Sequence, residues 1–251
     1  MSKRLQEIIR KNSEFEKDAP YNFCDRWCER CTHEKQVRCT LYKDELERKI
    51  TCIAHGRDED DQEITESVME AQYKEVDEKL GEHMDKYDID LDNPDIDEDE
   101  LDEEHAIDFD DLPKDIQNHI KFIENNPLPA TAKQYRKKAH SFLEKTFYEK
   151  DKNIVKSELI YDFQSVSWYH TLLSAKLERA LAGFHESACE GEFALYDAVA
   201  QFEICKKAIK LSVKALRKID KDFISFHQQI LELIALLHNI HSRIQAMESS
   251  I

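Results

Sequence analysis

Residues Tyr21 to Cys39 read YNFCDRWCERCTHEKQVRC and gather four of the chain's seven cysteines into sixteen residues. Their spacing is C-x3-C-x2-C-x7-C: Cys24, Cys28, Cys31 and Cys39. Thiolates bind soft or borderline metals, so a sulfur-only set suits zinc or an iron–sulfur cluster. On a helical turn Cys24 and Cys28 are i,i+4 and Cys28 and Cys31 are i,i+3. Three sulfurs would then share a side, with Cys39 folding back as the fourth ligand. Tyr21, Phe23 and Trp27 would shield such a site, and Arg26, Arg30 and Arg38 would offset its negative charge. Three close cysteines plus a more distant one lean toward a [4Fe–4S] cluster, with zinc as the alternative. His33 is a substitute ligand at most. Cys52 and His55 form a C-x2-H pair that reads as a buried thiol near a helix end. Cys189 and Cys205 read as small core residues.

The first three cysteines share the C-x3-C-x2-C spacing of radical SAM enzymes. Those enzymes set it in a βα barrel with glycine-rich cofactor contacts, and this chain has only four glycines and no alternating strand–helix pattern. That reading fails. The segment FCDRWCERC, followed far downstream by SVSWYHTLLSAKLERAL, resembles an uncharacterised bacterial family with no assigned activity. The resemblance implies a cysteine region joined to a helical bundle and transfers no reaction.

A second set of residues that could carry chemistry lies on apolar helix faces. Asp162 interrupts the stripe of Val155, Leu159, Val166, Tyr169, Leu173, Leu177, Ala180 and Phe184. Asp197 interrupts that of Phe193, Ala200, Ile204 and Leu211. A core carboxylate is costly unless paired or metal-bound. With Glu158, His238 and His241 these residues would make a loose metal site. However, no bundle helix carries the Glu-x-x-His pair of di-metal bundles. The plainer reading is a hydrogen-bonded polar layer with donors from Trp168 and Tyr169. KQYRKK (Lys133–Lys138) is the compact basic run. It reads as a solvated helix face, or as a contact for nucleic acid or for the chain's own acids. No glycine-rich phosphate loop, Ser/His/Asp arrangement or H-E-x-x-H motif is present.

The elements that must position these residues are helical. All five prolines precede residue 130. Periodicity predicts a short amphipathic helix over residues 1–18, then helices over Leu41–Ala54, Glu59–Tyr87 and Lys114–Glu124. Four long helices follow: Ala130–Lys150, Ile154–Cys189, Glu192–Lys218 and Lys221–Ser250, the last two separated by little more than IDKD. Wide stripes and short loops imply an antiparallel four-helix bundle. The expected fold is therefore all-α: a four-cysteine metal-binding region (1–87), an acidic linker (88–112) and the bundle (113–251).

Asp88–Asp111 holds fourteen acids and no Lys or Arg, and setting it aside takes the formal charge from −17 to −3. Its acids alternate with apolar residues, a pattern of solvated linkers and disordered interaction segments that points to a protein partner. Its Asp88, Asp90, Asp92 opening fails as an EF-hand at Asn93 and Pro94. The acidity argues against broad nucleic-acid binding. No stretch has the form of a signal peptide or approaches the roughly 20 apolar residues of a membrane span. A cytoplasmic setting follows, and there clustered cysteines read as ligands or redox groups. The functional expectation is a metal-binding interaction, regulatory or redox-sensing module. The alternative is a bundle oxidoreductase with metal at Asp162/Asp197 served by the cysteine cluster.

Overall fold

The computed structural model describes residues 2–87, 110, 112–148, 157–187 and 191–251, and every regular element among them is helical. The helices are α1 (Lys3–Phe15), α2 (His33–Arg38), α3 (Thr40–Ala54), α4 (Gln62–Tyr87), α5 (Lys114–Asn125), α6 (Pro127–Leu143), α7 (Ile160–Glu186), α8 (Glu192–Asp222) and α9 (His227–Glu248). Cys189 and, apart from Asp110, the acidic stretch lie outside the described residues, and so do the linker and tether expectations. No helix among the described residues is long and apolar enough to cross a membrane.

The chain divides into two units, Met1–Trp27 with Pro113–Ile251, and Cys28–Leu112. The seam falls inside the cysteine segment, whereas the sequence alone groups residues 1–87 together. In the first unit α7 and α8 run antiparallel, because Asp162 pairs with Lys218 and Arg179 with Asp197. α6 packs on α7 and α9, and α9 packs on α8. Phe142, Phe163, Leu177, Phe202, Leu216 and Ile230 are fully buried in their shared core.

Local chemistry sets the ends of these helices. The Asn126 carboxamide oxygen accepts from the Leu128 N–H at 3.0 Å, and Pro127 occupies the first turn of α6. This is the cap-then-proline start that leaves few orphan donors. The IDKD stretch lies within α8, which continues through Asp222, contrary to the sequence expectation. The chain reverses instead at Phe223–Phe226, where Phe223 meets Phe163 edge-on at 5.2 Å and Phe226 meets Phe142 at 5.8 Å. Aromatic burial outweighs the charged dipeptides as a stop signal. Near the other end, Gly183 allows α7 and α8 to approach: a Cβ there would sit 2.9 Å from the Ala194 carbonyl oxygen.

α1 begins with the Ser2 hydroxyl accepting from the Leu5 N–H at 3.0 Å. It buries Leu5 and Ile8 on Leu195 and Val199 of α8. Asn12 and Lys11 reinforce the contact by donating to the Tyr196 carbonyl and hydroxyl, both at 2.9 Å. In the second unit α3 packs on α2 and on α4. Cys52 is buried near the end of α3, its thiol 3.9 Å from the Asp61 carbonyl, and His55 is exposed. Met69, Tyr73, Val76 and Leu80 of α4 remain exposed, as expected of a surface helix.

Candidate functional site

The segment between α1 and the seam is folded onto α7 and α8. Pro20–Phe23 makes one 3₁₀ turn with Pro20 buried. Cys24 is extended, and Arg26 takes a left-handed conformation at φ +56°. That geometry costs a side-chain-bearing residue about 1 kcal/mol. It turns both Asp25 and Trp27 toward α7. The Asp25 carboxylate accepts from the Tyr169 hydroxyl and from Lys207 Nζ, each at 2.8 Å, and the Asp25 carbonyl accepts from Trp168 Nε1 at 2.8 Å. Trp27 stacks on Trp168 at 5.3 Å and meets the edge of Tyr169 at 5.7 Å. Asp25 is 9% exposed. Burial alone would raise its pKa, but hydrogen bonds from Lys207 and Tyr169 outweigh it and hold the carboxyl below the usual range.

A polar chain lies beside this clamp. Buried Lys176 donates to the Gln201 carboxamide oxygen at 2.9 Å. Gln201 in turn donates to the Asn22 carbonyl at 3.3 Å and to Asp197 at 2.9 Å. Asp197 takes a two-pronged hydrogen bond from Arg179 at 2.7 and 2.8 Å. Burial, then Arg179 and Arg26, lower the Lys176 pKa, while the thiols of Cys24 and Cys205 act in the opposite sense. Full burial pushes the Cys205 thiol pKa far up, and Lys176 offsets this only in part.

The four clustered cysteines are all half-buried, and none of the described cysteines forms a disulfide. Cys24 approaches the Tyr21 carbonyl at 3.6 Å. In the second unit Cys28 opens a short 3₁₀ turn and Cys31 closes it, its N–H donating to the Cys28 carbonyl at 3.1 Å. The Gln36 side chain ties α2 to that carbonyl at 3.0 Å. Cys39 joins α2 to α3. The single helical turn expected over Cys24–Cys31 is therefore absent. Asp25 and Trp27 are drawn to α7, and the left-handed Arg26 interrupts any helix before Cys28. Trp27, one of the aromatics expected to shield the site, packs on Trp168. Among the described residues, no three His, Cys, Asp or Glu side chains are grouped to hold a metal ion.

Asp162 is buried and paired, with Lys218 Nζ at 3.1 and 3.2 Å from its two oxygens. Asp162 and Asp197 lie near opposite ends of the α7–α8 pair, each held by a cation, and they share no site. His238 and His241 face α8 cations across a groove. His33 is exposed at the start of α2. In KQYRKK, Tyr135 is buried, Lys138 pairs with Glu232 at 2.6 Å and Lys133 with Glu178 at 3.8 Å.

Sequence reasoning missed Asp25, Lys176 and Gln201. Lys176 and Gln201 sit at helical spacing beside core positions, a signal as legible as that of Asp162. Asp25 carries no periodic signal because it lies in a turn. Trp168 and Tyr169 are the expected donors, but they serve the docked loop and not a layer inside the helices. A cleft of about 620 Å³ opens beside the Arg179–Asp197 pair, between α1 and the facing ends of α7 and α8. Compared with protein-family models, curated proteins and solved structures, the chain matches none.

Proposed function

We propose that the chain is a metal-binding regulatory module. The Cys24–Cys39 segment binds one metal centre, a [4Fe–4S] cluster or zinc, through the thiolates of Cys24, Cys28, Cys31 and Cys39. An antiparallel four-helix bundle of α6–α9 is the scaffold that responds, in the cytoplasm, for a protein partner. The observation that carries this reading is the position of Cys24. It belongs to the loop that Asp25 and Trp27 clamp onto α7 and α8 through Tyr169, Lys207 and Trp168. Ligation or oxidation of a thiol changes the charge at that sulfur. At Cys24 such a change acts on a loop already bonded to α7 and α8. Cys28 and Cys31 bracket a single turn, which gives the donor set a compact start. When bound, the metal would cross-link the segment and add its binding energy to local folding.

Anaerobic purification followed by elemental analysis and absorption spectroscopy tests this. A brown protein absorbing broadly near roughly 400 nm indicates iron–sulfur. A colourless protein with about one zinc per chain indicates zinc. Cys28→Ser should lose the metal, loosen residues 28–55 and leave the C-terminal helices folded. Protein with neither metal, and with all four thiols readily alkylated, would sink the proposal.

A further inference from the structure

α8 carries Lys210, Lys214, Arg217, Lys218 and Lys221 at i, i+4, i+7, i+8 and i+11, a stripe along one helix face. At 1.5 Å per residue it runs about 16 Å. The stripe forms one wall of a groove of about 710 Å³, and α9 supplies His238 and His241 opposite. No carboxylate lines the groove. Lys218 is paired with Asp162, but among the described residues Lys210, Lys214, Arg217 and Lys221 have no hydrogen-bond or ion-pair partner. The acids that flank Lys221 on α8 are engaged elsewhere: Asp220 is held by His227 at 2.8 Å, and Asp222 also has a partner.

This arrangement is unfavourable for the isolated fold. Like charges at i,i+4 on a helix repel by a few tenths of a kcal/mol per pair. The chain as a whole carries −17, so free cations are not needed for solubility. Concentrated, uncompensated cations facing one groove are the footprint of an anionic partner.

We propose that the groove between α8 and α9 docks an acidic peptide segment of a protein partner, one with apolar side chains between its acids. The floor decides between a peptide and a nucleic acid. Ile209 and Val213 are buried, 3% and 7% exposed, so the apolar surface of the floor is supplied mainly by the methylene stems of the lysines. A phosphodiester backbone gains nothing from such a floor. Bases would need aromatic faces to stack on, and no Phe, Tyr or Trp lines the groove. A peptide alternating acids with leucines satisfies both features: carboxylates meet the cations, and leucines cover the floor.

Fluorescence anisotropy on the full chain tests this, with a labelled peptide of alternating Asp and Leu over roughly twelve residues. The peptide should bind, and its affinity should fall as salt rises. Lys214→Glu with Arg217→Glu should weaken binding at least tenfold. The neutral pair Lys214→Gln with Arg217→Gln should weaken it less, with the helical circular dichroism unchanged in both. Replacing the leucines with serines should also weaken binding severalfold. Three results would each overturn the proposal: no binding of the peptide, equal binding by the charge-reversed variant, or equal binding of the serine peptide. Tighter binding of a single-stranded oligonucleotide of matched charge would overturn it as well.

Discussion

Replacing Asp25 with Ala probes the clamp most directly. The substitution removes the charged acceptor of the hydroxyl of Tyr169, a residue 2% exposed, and of Lys207, whose side chain is 60% exposed. A buried hydroxyl bonded to a charged group contributes about 1.5–3 kcal/mol. The Lys207 pair is screened by water and adds about 0–1 kcal/mol. Asp25→Ala should therefore destabilise docking of the loop by about 1.5–4 kcal/mol. Asp25→Asn, which keeps an acceptor for Tyr169, should cost about 1 kcal/mol. The protein supplies its own reporter, because its two tryptophans are Trp27 and Trp168, stacked at 5.3 Å. Near-ultraviolet circular dichroism should lose the coupled indole signal in Asp25→Ala, while the far-ultraviolet helical signal persists. The dependence on pH has a defined sign. The Asp25 pKa is depressed in the folded state, so its contribution is complete above the ordinary carboxylate value of about 4 and fades as pH falls below it. The advantage of wild type over Asp25→Asn should be flat from about pH 5 to 8 and shrink in acid. An Asp25→Ala protein with an unchanged indole signal, and an unfolding free energy within about 0.5 kcal/mol of wild type, would refute this account.

Gly183→Ala should destabilise by about 1–2 kcal/mol in urea denaturation, because overlap with the Ala194 carbonyl at 2.9 Å outweighs the helix-propensity gain. A stabilised variant would mean that α7 and α8 are not packed this closely. Asp162→Leu should change stability by less than about 1 kcal/mol, since the Lys218 side chain is 51% exposed and rehydrates easily, and Asp162→Ala should cost more through the void it leaves. A large loss in Asp162→Leu would show that the carboxylate does more than pair with Lys218. In native alkylation followed by mass spectrometry, Cys205 should stay unmodified while metal-free Cys24, Cys28, Cys31 and Cys39 react, because burial disfavours the Cys205 thiolate. Equal labelling of all five would contradict that burial.

The long helices could be read locally, whereas the short α2 (His33–Arg38) between two of the cysteines was not expected. The stripe through Val166, Tyr169, Leu173, Leu177 and Ala180 repeats at helical spacing, and a face that apolar must be covered whatever covers it. The start of α6 at Asn126–Pro127 lies ahead of the expected Ala130, although the cap that sets it acts within a few residues. The need of Asp162 for a partner was legible: the cost of burying a carboxylate is a property of that residue, although nothing in the sequence singles out Lys218. The spacing of the cysteines shows the donors that a metal site would use. Other features depended on which surfaces meet. Asp25 bonds to Tyr169 and Lys207, more than 140 positions away, and a residue in a turn leaves no periodic trace of such a bond. The pull of that distant contact bends the backbone at Arg26 and overrides the helical turn that the cysteine spacing suggests. It also sets Trp27 on Trp168 and places residues 1–27 with the C-terminal helices and apart from the chain that follows. Periodicity reports how much of a segment must be buried, a property of that segment alone. The partner it is buried against is settled only by competition among many similar apolar and polar faces, and that takes place in the folded chain.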